Sequence, residues 1–263
     1  MTGEGPLRGV KCFLLDMDGT FYLGDRILEG SLAFMRAIAE RGRDFLFLTN
    51  NSSKNAEYYQ RKLEGMGLRI PIGKILTSGQ ATAESLLRDY PNRRAYLLGN
   101  EYLEAELRGA GVAIDRNRPE LVVVGYDTTL TYAKLASTCD LLRAGLPLVA
   151  THPDFNCPTE TGFAPDIGAI LAFLRASTGR EPDLVVGKPN AGIVDSALRR
   201  AGVSAGEAAI VGDRLYTDIE TGRRHGILSI LVMTGETTRE LLDETEFRPD
   251  RVYGRLSEMI PDL

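Results

Sequence analysis

"FLLDMDGTFYLG", residues 13–24, joins an apolar run to two carboxylates that stand one residue apart. Phe13, Leu14 and Leu15 read as a strand covered on both faces, because the run lacks the polar alternation of a strand with one wet side. Asp16 and Asp18 end that strand, and Gly19 opens a turn. Residues two apart in extended chain project to the same side, so the two acids repel each other at one strand tip. A positive partner at that tip would resolve the conflict.

The same alternation continues along the chain. KCFLLD, DFLFLT, AYLLG, LVVVGY, PLVAT, DLVVG, AAIVGD and ILSILVMTG predict strands. Between them, Ser31–Arg41, Thr131–Ala144 and Ala191–Ala201 carry apolar residues at helical spacing, with Ser31 as a plausible N-cap. This pattern predicts an α/β fold whose core is a doubly wound, mainly parallel, Rossmann-like sheet. A separate β-α series lies between the turn-prone runs TSGQ (77–80) and TGREPD (178–183). The expected organisation is therefore a core of residues 1–78 and 183–263, interrupted by an inserted α/β domain of residues 79–182.

The 263 residues suffice for one good core plus a small second domain. A net charge of -5 argues against a nucleic-acid polymer or an anionic membrane as partner, since both need clustered Lys and Arg. No run approaches the roughly 18 apolar residues of a membrane span. MTGEGPLRGVKC lacks the pattern of a signal peptide, and the sparse Cys12, Cys139 and Cys157 lack metal-ligand spacing. The expected location is the cytoplasm.

Ligands of open parallel sheets gather beyond the carboxyl ends of the strands. After KCFLL come Asp16, Asp18 and Gly19; after DFLFL, Thr49 and Asn50; after DLVV, Gly187 and Lys188; after AAIV, Gly212 and Asp213, then Asp218. Asp16, Asp18 and Asp213 form an acidic cluster without Cys or His, which selects a hard cation such as Mg²⁺ over zinc. Lys188, the Thr49 hydroxyl and the N–H groups around Asn50 supply what a phosphate group needs. Metal plus phosphoryl group answers the electrostatic puzzle of the first strand.

DMDGT (16–20), LTNNS (48–52), GKP (187–189) and GDRLYTD (212–218), in this order, resemble the four motifs of the haloacid dehalogenase-like (HAD) hydrolases. Within them the chain is similar to the 4-nitrophenylphosphatase and ribonucleotide monophosphatase-like branch, which carries a large α/β cap between the second and third motifs. The cap segment THPDFNCPTETGFAPDIGAI (151–170) shares the likeness. The resemblance implies that Asp16 is a nucleophile forming an aspartyl-phosphate and Asp18 a general acid/base. It implies that Asp16, the Asp18 carbonyl and Asp213 hold Mg²⁺, and that Thr49, Asn50 and Lys188 bind the phosphoryl group. Asp218 would orient Lys188 or a metal-bound water.

An acid at position 18 fits departure of an oxygen leaving group, leaving phosphatase or phosphomutase. Family mutases place a helical cap just after the first motif, where this chain has only FYLGDRILEG (21–30). The expected activity is therefore Mg²⁺-dependent hydrolysis of small phosphate monoesters, such as sugar phosphates, nucleoside monophosphates or 4-nitrophenyl phosphate. The alternatives are a phosphomutase and a phosphometabolite-binding regulator with vestigial activity. Asp127, His152, Asp154 and Asn156, in expected cap loops, are candidate substrate readers. His152 stands where relatives show the Asn of TNPD, and a structural or solvent-facing role is the plainer reading of it. The resemblance also admits a homodimer through the cap surface.

Overall fold

In the computed structural model, which describes residues 6–159 and 162–263, the apolar run forms the strand Cys12–Leu15, fully buried at every position. Met1–Gly5 of the expected core, and Glu160 and Thr161 of the cap segment, lie outside the described residues. Two compact units organise the contacts: Met1–Leu48, Gln60–Leu76 and Val194–Leu263 make one, Thr49–Tyr59 and Thr77–Ile193 the other.

The first unit is built on a six-stranded sheet. Its strands follow the order Arg251–Tyr253, Leu228–Val232, Ala208–Gly212, Cys12–Leu15, Asp44–Thr49, Ile75–Thr77. Numbered by their sequence order within this sheet, they run 6-5-4-1-2-3, the doubly wound arrangement. Cys12–Leu15 pairs in parallel with Ala208–Gly212 on one side and Asp44–Thr49 on the other. The strand order reverses between the first two of these, so a ligand-binding crevice is expected beyond Leu15 and Gly212. Edge-on ring pairs, Phe13 with Phe34 and Phe21 with Phe47, fix the packing beneath that edge.

The second unit holds a four-stranded sheet in the order Leu184–Val185, Leu148–Ala150, Leu121–Val124, Ala95–Leu98, with parallel pairing throughout. Its helices start on side-chain caps. Thr77 accepts the Gln80 N–H, Asn100 those of Tyr102 and Leu103, Thr131 that of Lys134 and Asp166 that of Ile167.

Three local expectations are corrected. The strand within DLVVG belongs to this second sheet and not to the core sheet, because Asp183 pins it to Leu148. The Leu148 N–H donates to Asp183 Oδ2 at 2.7 Å, and the Asp183 N–H to Leu148 O at 2.8 Å. TSGQ is no turn: Thr77 ends Ile75–Thr77, an edge strand of the core sheet, and the helix Ser78–Asp89 follows at once on the Thr77 cap. Ser31 lies inside its helix, where Gly30 at φ 87° takes the cap position and Ser31 Oγ is buried without a hydrogen bond.

Candidate active site

The acidic edge grows directly from backbone pairing in the first unit. The Asp16 N–H donates to Val211 O at 2.9 Å, which carries the parallel ladder one residue past Leu15 and fixes the first acid. The chain then turns over Met17 O, which accepts from Phe21 and Tyr22 N–H. Gly19, at φ 83°, lies so near Asp213 that a Cβ would meet Oδ2 at 2.5 Å. Asp213 follows the strand Ala208–Gly212, and Asp218 sits on the single π turn Leu215–Ile219; both are buried.

Asp16, Asp213 and Asp218 each offer a carboxylate oxygen within 4.8 Å of the others. Burial, and then the charge of Asp218, push the Asp213 carboxyl up to about 6 against hydrogen bonds from the Glu236 N–H (2.7 Å) and the Thr20 hydroxyl (3.1 Å). Arg214 offsets part of the repulsion. Burial alone would lower its guanidinium, yet Asp16 and Asp213 above all raise it, and its Nε stands 3.0 Å from Glu236 Oε2. Three crowded carboxylates with oxygen donors only fit a hard divalent cation. Asp18 is exposed and lies outside this triad. Its carboxyl is raised by desolvation, with Lys62 and Arg214 pulling the other way.

Gly212 leaves room for Asp218. A Cβ there would fall 2.1 Å from Asp218 Cγ and 2.4 Å from its Cβ, too deep in the side chain for a rotamer change to relieve. Gly212→Ala is expected to destabilise the fold by about 1–3 kcal/mol. A urea unfolding midpoint equal to that of the unaltered chain would contradict this packing.

In the second unit, the Asn50 amide clamps the backbone of Lys188. Oδ1 accepts the Lys188 N–H at 2.7 Å, while Nδ2 donates to Lys188 O at 3.0 Å and to both Asp154 oxygens at 3.2 Å. The Ser78 hydroxyl donates to Asn50 O. Gly187 precedes Lys188 in a gap that no side chain could enter: a Cβ would meet His152 Cβ at 2.6 Å and Asn50 Oδ1 at 2.7 Å. Lys188 and Thr49 are both buried, and the peptide bond from Lys188 to Pro189 is cis.

The four candidate substrate readers differ in setting. Asp154 joins the Asn50 clamp. His152 is wholly buried, with Nδ1 2.9 Å from Thr151 Oγ1 and Nε2 3.1 Å from Asp166 Oδ1. Asp127 stands in a separate network, accepting from Lys134 Nζ at 2.7 Å and from the Thr129 N–H and hydroxyl. Asn156 is exposed on the strand Asn156–Thr159.

Sequence reasoning missed the segment after the strand Leu228–Val232. The Thr234 hydroxyl donates to Gly19 O at 2.6 Å, and the Thr237 hydroxyl to Asp213 O at 2.5 Å. Gly235 is needed there, since a Cβ would lie 1.9 Å from Asp213 Oδ2. The signal was available, because MTGET leaves the sheet at the same carboxyl edge as the other motifs.

The chain matches the haloacid dehalogenase-like hydrolase family over residues 13–113 and the HAD-hydrolase-like family over residues 185–259. It is similar to a 4-nitrophenylphosphatase of Thermotoga maritima, with a TM-score of 0.95, 48% identity, and coverage of 97% of this chain and 98% of that one. A 5'-nucleotidase of Bacillus subtilis is 32% identical over 97% of this chain and 99% of its own length. An acid sugar phosphatase of Staphylococcus saprophyticus is 34% identical over 98% of this chain and 99% of its own. With matched families covering both ends of the acidic edge, and full-length relatives of this kind, the chain belongs to the haloacid dehalogenase-like hydrolases.

Proposed function

We infer that the chain is a Mg²⁺-dependent phosphatase of small phosphate monoesters, with sugar phosphates and nucleoside monophosphates as its substrate class. The observation that carries this reading is the triad of Asp16, Asp213 and Asp218 at the point where the strand order of the core sheet reverses. Full-length relatives named for 4-nitrophenyl phosphate, 5'-nucleotides and sugar phosphates support the substrate class.

Asp16, held by its backbone bond to Val211, is the nucleophile that attacks phosphorus and becomes the aspartyl-phosphate. Asp18, which is open to solvent, gives its proton to the leaving oxygen and then takes one from the attacking water. Thr49, the backbone at Asn50 and Lys188 offset the charge on the moving phosphoryl group. Asp16, the Asp18 carbonyl and Asp213 hold Mg²⁺, with Asp218 beside them. When bound, the ion neutralises negative charge at the reacting centre. Residues 79–182 act as the cap that selects the leaving group, and three free cysteines fit a reducing cytoplasm.

A phosphate-release screen over a metabolite panel, run with Mg²⁺ and with a chelator, tests this reading. Release from several small monoesters with Mg²⁺ and none with chelator is expected; an inactive panel would contradict it. Release with return of the label to another position of the same molecule would identify a mutase.

Asp213 gives a second test. Its folded-state pKa of about 6 exceeds the ordinary 3.8, so without a cation its contribution to stability falls as pH rises through that interval. A divalent cation removes that penalty. The rise in melting temperature on adding Mg²⁺ is therefore expected to be larger at pH 8 than at pH 5, and an equal or reversed shift would count against Asp213 as a ligand.

A further inference from the structure

His152 has no part in the chemistry above, yet its ring is wholly buried and both of its nitrogens are engaged. A buried hydrogen-bond chain runs to it. The Tyr126 N–H donates to Ser52 Oγ at 2.9 Å, Ser52 Oγ lies 3.0 Å from Thr151 Oγ1, and Thr151 Oγ1 lies 2.9 Å from Nδ1. With the imidazole proton on Nε2, every member is satisfied: Ser52 gives to Thr151, Thr151 to Nδ1, and Nε2 to Asp166. Asp166 is also the cap of the helix Ile167–Thr178, accepting the Ile167 N–H at 2.6 Å. The ring thus ties the end of the strand Leu148–Ala150 to the start of that helix.

The segment so anchored carries Lys188. Thr151 O accepts the Gly187 N–H at 2.8 Å, and Gly187 packs against His152 Cβ. Two residues on, Asp154 accepts from the same Asn50 amide that clamps the Lys188 backbone on both sides. We propose that His152, through its bridge from Thr151 to Asp166, is a positioning residue that holds the Gly187-Lys188 turn in its phosphate-binding conformation. The inference rests on the phosphate-binding reading of Lys188, but its mechanical half stands separately from catalysis.

The test pairs two amides of different reach. In His152→Gln the amide nitrogen takes the place of Nε2 and keeps the Asp166 bridge; in His152→Asn only the Nδ1 position is replaced and the bridge is lost. Hydrogen exchange of the Gly187 and Lys188 amides reads the turn directly. His152→Asn is expected to speed their exchange about tenfold or more, with His152→Gln close to the unaltered chain. The KM for 4-nitrophenyl phosphate and the inhibition constant of inorganic phosphate should rise about tenfold in the Asn variant and stay level in the Gln variant. Asp166→Ser, which keeps a helix cap but cannot reach Nε2, should copy the Asn variant.

Unchanged exchange at Gly187 and Lys188 in His152→Asn and Asp166→Ser would overturn the inference while leaving the phosphatase reading intact. So would faster exchange spread evenly over the unit with an equal fall in unfolding midpoint, which marks a merely structural histidine. Faster exchange at the turn without any change in the phosphate constants would support the mechanical role and locate the failure in the reading of Lys188.

Discussion

Asp16→Asn is expected to lower phosphate release by about 10⁴-fold or more, since an amide cannot attack phosphorus. The variant should fold. Asp16 is anchored by its backbone N–H to Val211 O, a bond that the substitution leaves in place. The amide has nearly the volume of the carboxylate, and it removes one negative charge from the triad with Asp213 and Asp218. Without a cation the melting temperature should therefore stay level or rise. Phosphate release from the most active panel substrate, measured beside a thermal melt, decides the matter. Release near the level of the unaltered chain would refute Asp16 as nucleophile.

Lys188→Met is expected to lower kcat/KM by about 10²–10³-fold, the cost of removing one preorganised charge from a developing anion. Met keeps the apolar stem of a side chain that is only 2% exposed. The Asn50 clamp grips the backbone N–H and C=O of residue 188, so it survives any change in the side chain. The loss should appear in the affinity for inorganic phosphate as well as in turnover, because inorganic phosphate presents the same anionic oxygens to that side chain. Full activity, or a loss matched by a fallen unfolding midpoint, would leave Lys188 without a phosphate role.

Much of this architecture was readable in the chain. Strands buried on both faces announce themselves by unbroken apolar runs, and Phe13, Leu14 and Leu15 do so with Asp16 at their end. The same uniformity explains what was misread. Two parallel sheets demand the same apolar pattern, so nothing in Leu184 and Val185 says which sheet they join; Asp183, by its paired bonds with Leu148, decides it. Ile75–Thr77 is too short to show a period and runs straight into a capped helix. Asp218 read as orienting Lys188 or a metal-bound water, and its carboxylate stands in the triad with Asp16 and Asp213. The π turn Leu215–Ile219 that carries it has no signature at helical spacing. Partners such as His152 and Asp166 are set by tertiary packing, which spacing in the sequence does not encode.

The central claim is that Asp16 takes the phosphoryl group from substrate, and the Asp18→Asn variant tests it most directly. 4-Nitrophenolate leaves without a proton, so the first step survives in this variant, while hydrolysis of the intermediate loses its base. Rapid mixing with 4-nitrophenyl phosphate and Mg²⁺ should give a burst of one 4-nitrophenolate per chain, with phosphate recovered on the peptide that contains Asp16. Steady release with no burst, or phosphate bound to a different residue, would contradict the account.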